Sequence, residues 1–240
     1  MSKSRRNGVD PQDMIERYGA DTARFYVMQA SPPTDTVLWS DESVEGSFKF
    51  MRRLWAMAHE HVAAGVAQPY REGELTTELR GLRLKLHRTI EKVGDDYGRR
   101  MQFNTAIAAV RELLNLYADL QDRSPVARAV AQEVLEHAVI LLSPIVPHIT
   151  TVLWRELRPG TRLIDQPWPS VDPAALVQDS IELVVQVNGK LRGHLRVAAG
   201  ASPEEIQAAA LHHDSVVKFS EGRVPRKVVV VPGRLVNVVV

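Results

Sequence analysis

The chain has 240 residues, enough for one large or two modest domains with real cores. Lys plus Arg is 30 and Asp plus Glu is 29, a formal charge of +1, which excludes coating nucleic acid by bulk charge but not a local basic face. The absence of cysteine excludes disulfide scaffolds, thiolate metal sites, iron–sulfur clusters and cysteine nucleophiles, and no apolar run approaches the ~20 residues of a membrane span. Residues 1–10 are polar and cationic with no apolar stretch behind them, so they do not read as a signal peptide.

Residues 1–8 carry no periodicity and read as a loop. Asp10-Pro11-Gln12-Asp13 is a helix start, Gly19 a stop, and Asp21 a cap for a second helix that Ser31-Pro32-Pro33 ends. From Ser43 the spacing of Val44, Phe48, Met51, Trp55, Ala58 and Val62 predicts one face of a long helix, closed by Gly65 and Pro69. Leu79, Leu82, Leu86, Ile90, Val93 and Tyr97 repeat the pattern. Phe103, Ile107, Val110, Leu114 and Tyr117 do so again in a helix broad enough in its apolar face to be buried. A fourth long helix runs from Pro125 through Leu142. Ser143-Pro144-Ile145-Val146-Pro147 interrupts it, because neither proline offers an N–H, and helix resumes to Leu157. The fold class is therefore mainly α, an antiparallel helical bundle.

Four prolines between 159 and 179 mark a linker, with Trp168 draped over the bundle. After Ser180 the period becomes two, and two strands flank Asn188-Gly189. A two-residue loop with regular pairing would set Val185 against Arg192. The register is therefore expected to pair Leu183 with Leu195 and Glu182 with Arg196, through either a three-residue loop that also joins Val187 to Leu191 or an Asn-Gly turn with a bulge. Ser202-Pro203-Glu204-Glu205 is a capping box opening a helix. Arg226 to Val231, rich in consecutive valines, and Leu235 to Val240 form a second strand pair around Pro232-Gly233. The tail is a small α+β domain, so the expected organisation is 1–40 loop and connecting helices, 41–158 bundle, 159–179 linker and 180–240 tail.

Chemistry has few places to sit. Met1-Ser2-Lys3-Ser4 puts a lysine between two hydroxyls, which reads either as a cationic loop or as a phosphate-binding one. Between 80 and 100 lie seven basic and three acidic residues, with Lys85, Arg88 and Lys92 in one stripe and Arg99 and Arg100 just beyond. A solvated charged face and a nucleic-acid contact both fit. From 180 onward there are eight basic and five acidic residues, and Lys190, Arg192 and Arg234 lie beside turns. His212-His213-Asp214 lacks the further ligand a metal needs, and no metal site is expected. Trp39, Trp55, Trp154 and Trp168 read as packing residues.

Five separated segments carry a resemblance. Met1-Ser2-Lys3-Ser4-Arg5-Arg6-Asn7-Gly8-Val9-Asp10-Pro11 resembles the Lys-Met-Ser-Lys-Ser signature loop of class I aminoacyl-tRNA synthetases without its first lysine, and Arg17 to Arg24 resembles the segment after it. Leu142 to His148 resembles a landmark of the anticodon-binding domain of the leucine, isoleucine, valine and methionine members. Val185 to Arg192 and Val231 to Asn237 are similar to the C-terminal domain of the bacterial leucyl-tRNA synthetases. The resemblance implies an ATP-dependent ligase of leucine to tRNA(Leu), with ATP and Mg2+ as substrate and no tightly bound cofactor. It implies that Lys3 is the catalytic residue, binding the triphosphate and stabilising charge on the departing pyrophosphate, with Ser2 and Ser4 shaping the ATP-binding loop. Lys85, Arg88, Lys92, Arg99, Arg100, Lys190, Arg192 and Arg234 become the tRNA-binding residues. The family is cytoplasmic, free of membranes and monomeric. Met1 reads as the internal methionine of the motif, so the nucleotide-binding and editing portions and the leucine site would lie upstream. No aminoacylation is expected from this chain alone. The alternative is a stand-alone RNA-binding module without enzymatic activity.

Overall fold

The computed structural model describes residues 11–36, 40–177, 180–220, 223 and 225–240. The chain divides into two compact units between Leu176 and Val177. The fold class is the expected one, a helical bundle followed by a small α+β part.

The first unit opens with α1 (Pro11–Tyr18) and α2 (Ala20–Ala30), separated by Gly19 at φ 85°, a conformation that suits glycine. Asp21 does not cap α2. Gly19 stands at the cap position, and the Asp21 carboxylate is used elsewhere. The bundle follows as α3 (Asp41–Ala63), α4 (Thr77–Asp95), α5 (Phe103–Asp119), α6 (Pro125–Leu142) and α7 (Pro147–Leu157). Ser40, Thr76 and Ser124 each accept a hydrogen bond from a first-turn N–H, at 3.2 Å in all three helices. The core joins Leu54, Leu79, Leu86, Ile90, Ile107, Leu113, Leu135 and Leu142, all fully or almost fully buried.

The apolar stripe of α3 is rotated from its expected place. Val44, Ser47, Met51, Leu54, Ala58 and His61 face inward, while Trp55 is 41% exposed. Ser47 fits inside because its hydroxyl donates to the Ser43 carbonyl at 2.9 Å, and His61 because its Nε2 meets Gln132 at 2.6 Å. Residues 159–176 lie on the bundle. Trp168 packs 5.7 Å from the Tyr97 ring, and short 3-10 turns at Leu163–Asp165 and Ala174–Leu176 seat Leu163 and Ala175 in the interior.

The second unit contains β1 (Ser180–Val187), β2 (Lys190–Ala198), α8 (Pro203–Leu211), α9 (Asp214–Ser220), β3 (Lys227–Val231) and β4 (Leu235–Val239), with sheet order β2-β1-β4-β3. The helix α9 was not anticipated. It buries only Val216, and seven residues are too short to show a periodic face. The first hairpin uses the Asn-Gly turn with a bulge. Leu183 pairs with Leu195 and Glu182 with Arg196, but after a shift at Val185/Gln186 Val187 pairs with Lys190, not Leu191. That irregularity leaves Leu191 59% exposed while Leu183, Val185 and Val187 stay inside with Ile206, Ala210, Val236 and Val238.

Candidate nucleic-acid interface

The basic stripe of α4 is real but largely engaged. Lys85 Nζ lies 2.6 Å from Glu112 on α5. Arg88 is exposed and has an interaction of its own. At its C-terminus α4 runs into a wider π-helical turn, Asp96–Arg100, which ends at Met101 in the left-handed conformation. The widening turns Asp96 fully inward. Lys92 Nζ meets its Oδ2 at 2.7 Å, Arg100 Nη1 its Oδ1 at 2.9 Å, and the Thr105 hydroxyl donates to Oδ2 at 2.7 Å. Arg99, more exposed, forms a two-pronged pair with Asp95 at 2.6 and 2.9 Å, and this holds the Asp95 carboxyl below its usual range. Lys92, Arg99 and Arg100 are thus gathered round one turn, with Lys85 and Arg88 further back on the same helix.

Arg83, counted in sequence with this basic stretch, is on the opposite account: it is buried at 6% exposure. Its guanidinium reaches Glu133 on α6 at 3.1 Å, Asp172 at 2.9 Å and Glu72 at 3.3 Å. Glu133 also accepts from the Tyr70 hydroxyl at 2.9 Å and faces His87 Nε2 at 3.2 Å. His87 Nδ1 accepts from the Asp172 N–H at 3.1 Å, leaving Nε2 as the ring's donor to Glu133. Burial pushes the Glu133 carboxyl up, but hydrogen bonds from His87, Arg83 and Tyr70 and the Arg83 charge outweigh it and hold it at about 2. Burial, then the Glu133 charge, raises the Tyr70 phenol. This cluster fastens residues 172–174 to the bundle. It was not read from sequence, although Leu79, Arg83 and His87 recur every four residues, the spacing of a helix face.

In the second unit Lys190 and Arg234 are exposed, but they do not share a turn region. The Asn188 N–H donates to the Val238 carbonyl at 2.9 Å, at the C-terminal end of β4, whereas Arg234 directly precedes its N-terminal end. Arg192 is half-buried, its guanidinium 3.9 Å from the Phe219 ring centroid. Phe219, on the unanticipated α9, is the residue that sequence reasoning missed here. Lys3, Ser2 and Ser4 lie outside the described residues, as do Asp10 and Trp39. Among the described residues no three His, Asp or Glu side chains could hold a metal ion, and no helix is long and apolar enough to cross a membrane.

Residues 80–208, more than half of the chain, match the family described as the anticodon-binding domain of tRNA ligase. The chain belongs to that family. Residues 1–40 match the class I tRNA synthetases of the I, L, M and V group. Over its whole length the chain is 60% identical to the leucine–tRNA ligase of Chromobacterium violaceum and 62% identical to that of Laribacter hongkongensis, while spanning 28% and 27% of those proteins. The LeuRS of Agrobacterium radiobacter K84, solved as a ternary complex with tRNA and LeuAMS, superimposes with a TM-score of 0.82 at 25% identity, covering all of this chain and 31% of that one. These findings agree with the resemblance read from the five sequence segments: this member of the anticodon-binding family is similar to leucyl-tRNA synthetases over its whole length.

Proposed function

We propose that the chain is the tRNA-engaging part of a leucine–tRNA ligase, binding tRNA(Leu) while its first residues serve the ATP site of the complete enzyme. The observation that carries this is the match of the entire chain to leucine–tRNA ligases at 60 and 62% identity. In this reading Lys3 counters the charge that builds on pyrophosphate as leucyl-adenylate forms from ATP and Mg2+, and Ser2 and Ser4 shape the loop. The enzyme works in the cytoplasm as a monomer.

The tRNA is held by its backbone rather than read by base edges. The cations differ in what contact would cost. Lys85 and Arg99 are paired with partly or well exposed carboxylates, and such surface pairs are weak because solvent screens them, so phosphate exchanges for them readily. Lys92 and Arg100 neutralise the fully buried Asp96, which could not be left alone, so they add field without releasing their partner. Lys190 and Arg234 offer free-reaching charge at two ends of β4, and Arg192 is positioned by Phe219.

Gel-shift titration of the 240-residue chain with tRNA(Leu) tests the binding half. Each phosphate neutralised lowers the slope of log affinity against log salt by roughly 0.7–0.9, so binding should weaken steeply between 50 and 200 mM salt, values typical of such titrations. Equal affinity for any RNA of that length would overturn the assignment to tRNA(Leu). Leucine-dependent pyrophosphate exchange by the chain alone is expected to be absent, and its appearance would contradict the division of labour.

A further inference from the structure

We propose that Asp21 and Arg24 are positioning residues for adenylate formation: together they lock α2 into the break between α6 and α7, and so fix where the chain enters α1 at Pro11. The inference rests on the reading of Lys3 given above.

The argument begins with one opened hydrogen bond. In a continuous helix the Ile149 N–H would donate to the Ile145 carbonyl four residues earlier. The break at Pro144–Pro147 parts them, and α2 takes both halves. Asp21 Oδ2 accepts from the Ile149 N–H at 2.7 Å. Arg24 Nε donates to the Ile145 carbonyl at 2.8 Å, and its Nη2 reaches the Pro144 carbonyl at 3.4 Å. Residues three apart lie on one helix face, so a single face of α2 carries both groups. The signs are matched as well: the carboxylate sits at the positive N-terminal end of α7 and the guanidinium on the unpaired carbonyls of the break. Asp21 is 9% exposed, and its Oδ1 lies 3.1 Å from His148 Nδ1, an ion-pair distance without aligned hydrogen-bond geometry.

These contacts are polar, directional and specific to one arrangement, which apolar packing of α2 alone would not ensure. Between the clamp and the segment holding Lys3 stand only α1 and the turn at Gly19, and α1 is itself fixed through Met14, which is buried with Tyr26 of α2 and Val44 of α3. A shift of α2 would therefore carry the attachment point of the loop with it, and a displacement of an ångström at a reacting centre costs rate rather than substrate affinity.

The test is leucine-dependent pyrophosphate exchange by the full-length ligase carrying Asp21→Asn, Arg24→Met, both together, or Arg24→Lys. The expected result is a fall in kcat of tenfold or more for each single variant, with KM for leucine and tRNA(Leu) affinity within twofold of the parent. The double variant should be no worse than the poorer single one, and Arg24→Lys should recover part of the loss. Exchange within twofold of the parent in both singles, with only the melting temperature lowered, would show a merely structural role and overturn the clamp. Lys3→Ala run alongside separates the two ideas. If Lys3→Ala keeps full exchange, the reading of the loop fails, and the clamp with it. If Lys3→Ala loses exchange while the Asp21 and Arg24 variants keep it, the clamp alone fails.

Discussion

Arg83 meets three carboxylates in the first unit, and its surroundings make it sensitive in a particular way. Three carboxylates converge on it, so its removal would leave Glu133 buried without its main counter-charge. Breaking such a pair costs about 3–5 kcal/mol. Arg83→Met is expected to lower stability by about 3 kcal/mol, measured by urea unfolding of the chain. Glu133 gives the pH dependence. Its carboxyl is held at about 2 in the folded chain against an ordinary 4.5, so the unfolded chain binds the proton first as pH falls. The stabilisation is complete above about pH 4.5 and is lost as pH drops from there through about 2; Glu133→Gln should flatten that part of the stability profile, with urea midpoints as the measure. Little of this was legible beforehand. Glu72, Glu133 and Asp172 come from three separate stretches of chain, and only folding brings them to one guanidinium. The helical face shared by Leu79, Arg83 and His87 was the one local sign.

At the scale of elements, the tail motifs that carried the resemblance turn out to hold each other. Asn188 adopts φ 50°, and its Oδ1 accepts from the Val240 N–H at 3.1 Å. Asn237 Oδ1 in return accepts from the Gly189 N–H at 3.0 Å. The two asparagines thus pin the first turn to β4, a structural use that the spacing of the motifs alone does not reveal. Asn237→Ala would leave the Gly189 N–H without that partner and is expected to cost about 1 kcal/mol, read from the thermal midpoint of the second unit. Gly193 faces a tighter constraint. A Cβ there would lie 2.7 Å from Ser215 Oγ and 3.0 Å from the His213 ring, so Gly193→Ala should force the corner between α8 and α9 away from β2 and destabilise by about 1–3 kcal/mol, by the same measurement. The helices of the bundle were legible because their 3.6-residue patterns are long. The register of the first hairpin was legible only in part: alternation fixed Leu183 against Leu195, but the bulge falls at Val185/Gln186, in the stretch of β1 that also pairs with β4, a strand some fifty residues away.

For the whole molecule, the charge balance takes on a different meaning. Counting along residues 80–100 overstates the outward field, because Glu112, Glu133, Glu72 and Asp172 approach from outside that window and neutralise Lys85 and Arg83. This is why sequence could name the basic face but not rank its members. The division into two units predicts two cooperative transitions in calorimetry, with Arg83→Met moving one and Gly193→Ala the other. If a single transition moved with both substitutions, the units would not be independent.

The order β2-β1-β4-β3 places the strand made last in this unit inside its sheet, parallel to the strand made first. On the ribosome, then, the first hairpin can form early but must wait with one long edge of β1 open until residues 235–239 emerge. Closing it joins segments some fifty positions apart, the Val184 N–H to the Arg234 carbonyl for one, which makes this the slow step of the unit's assembly. During that wait the exposed edge is a template for the wrong strand.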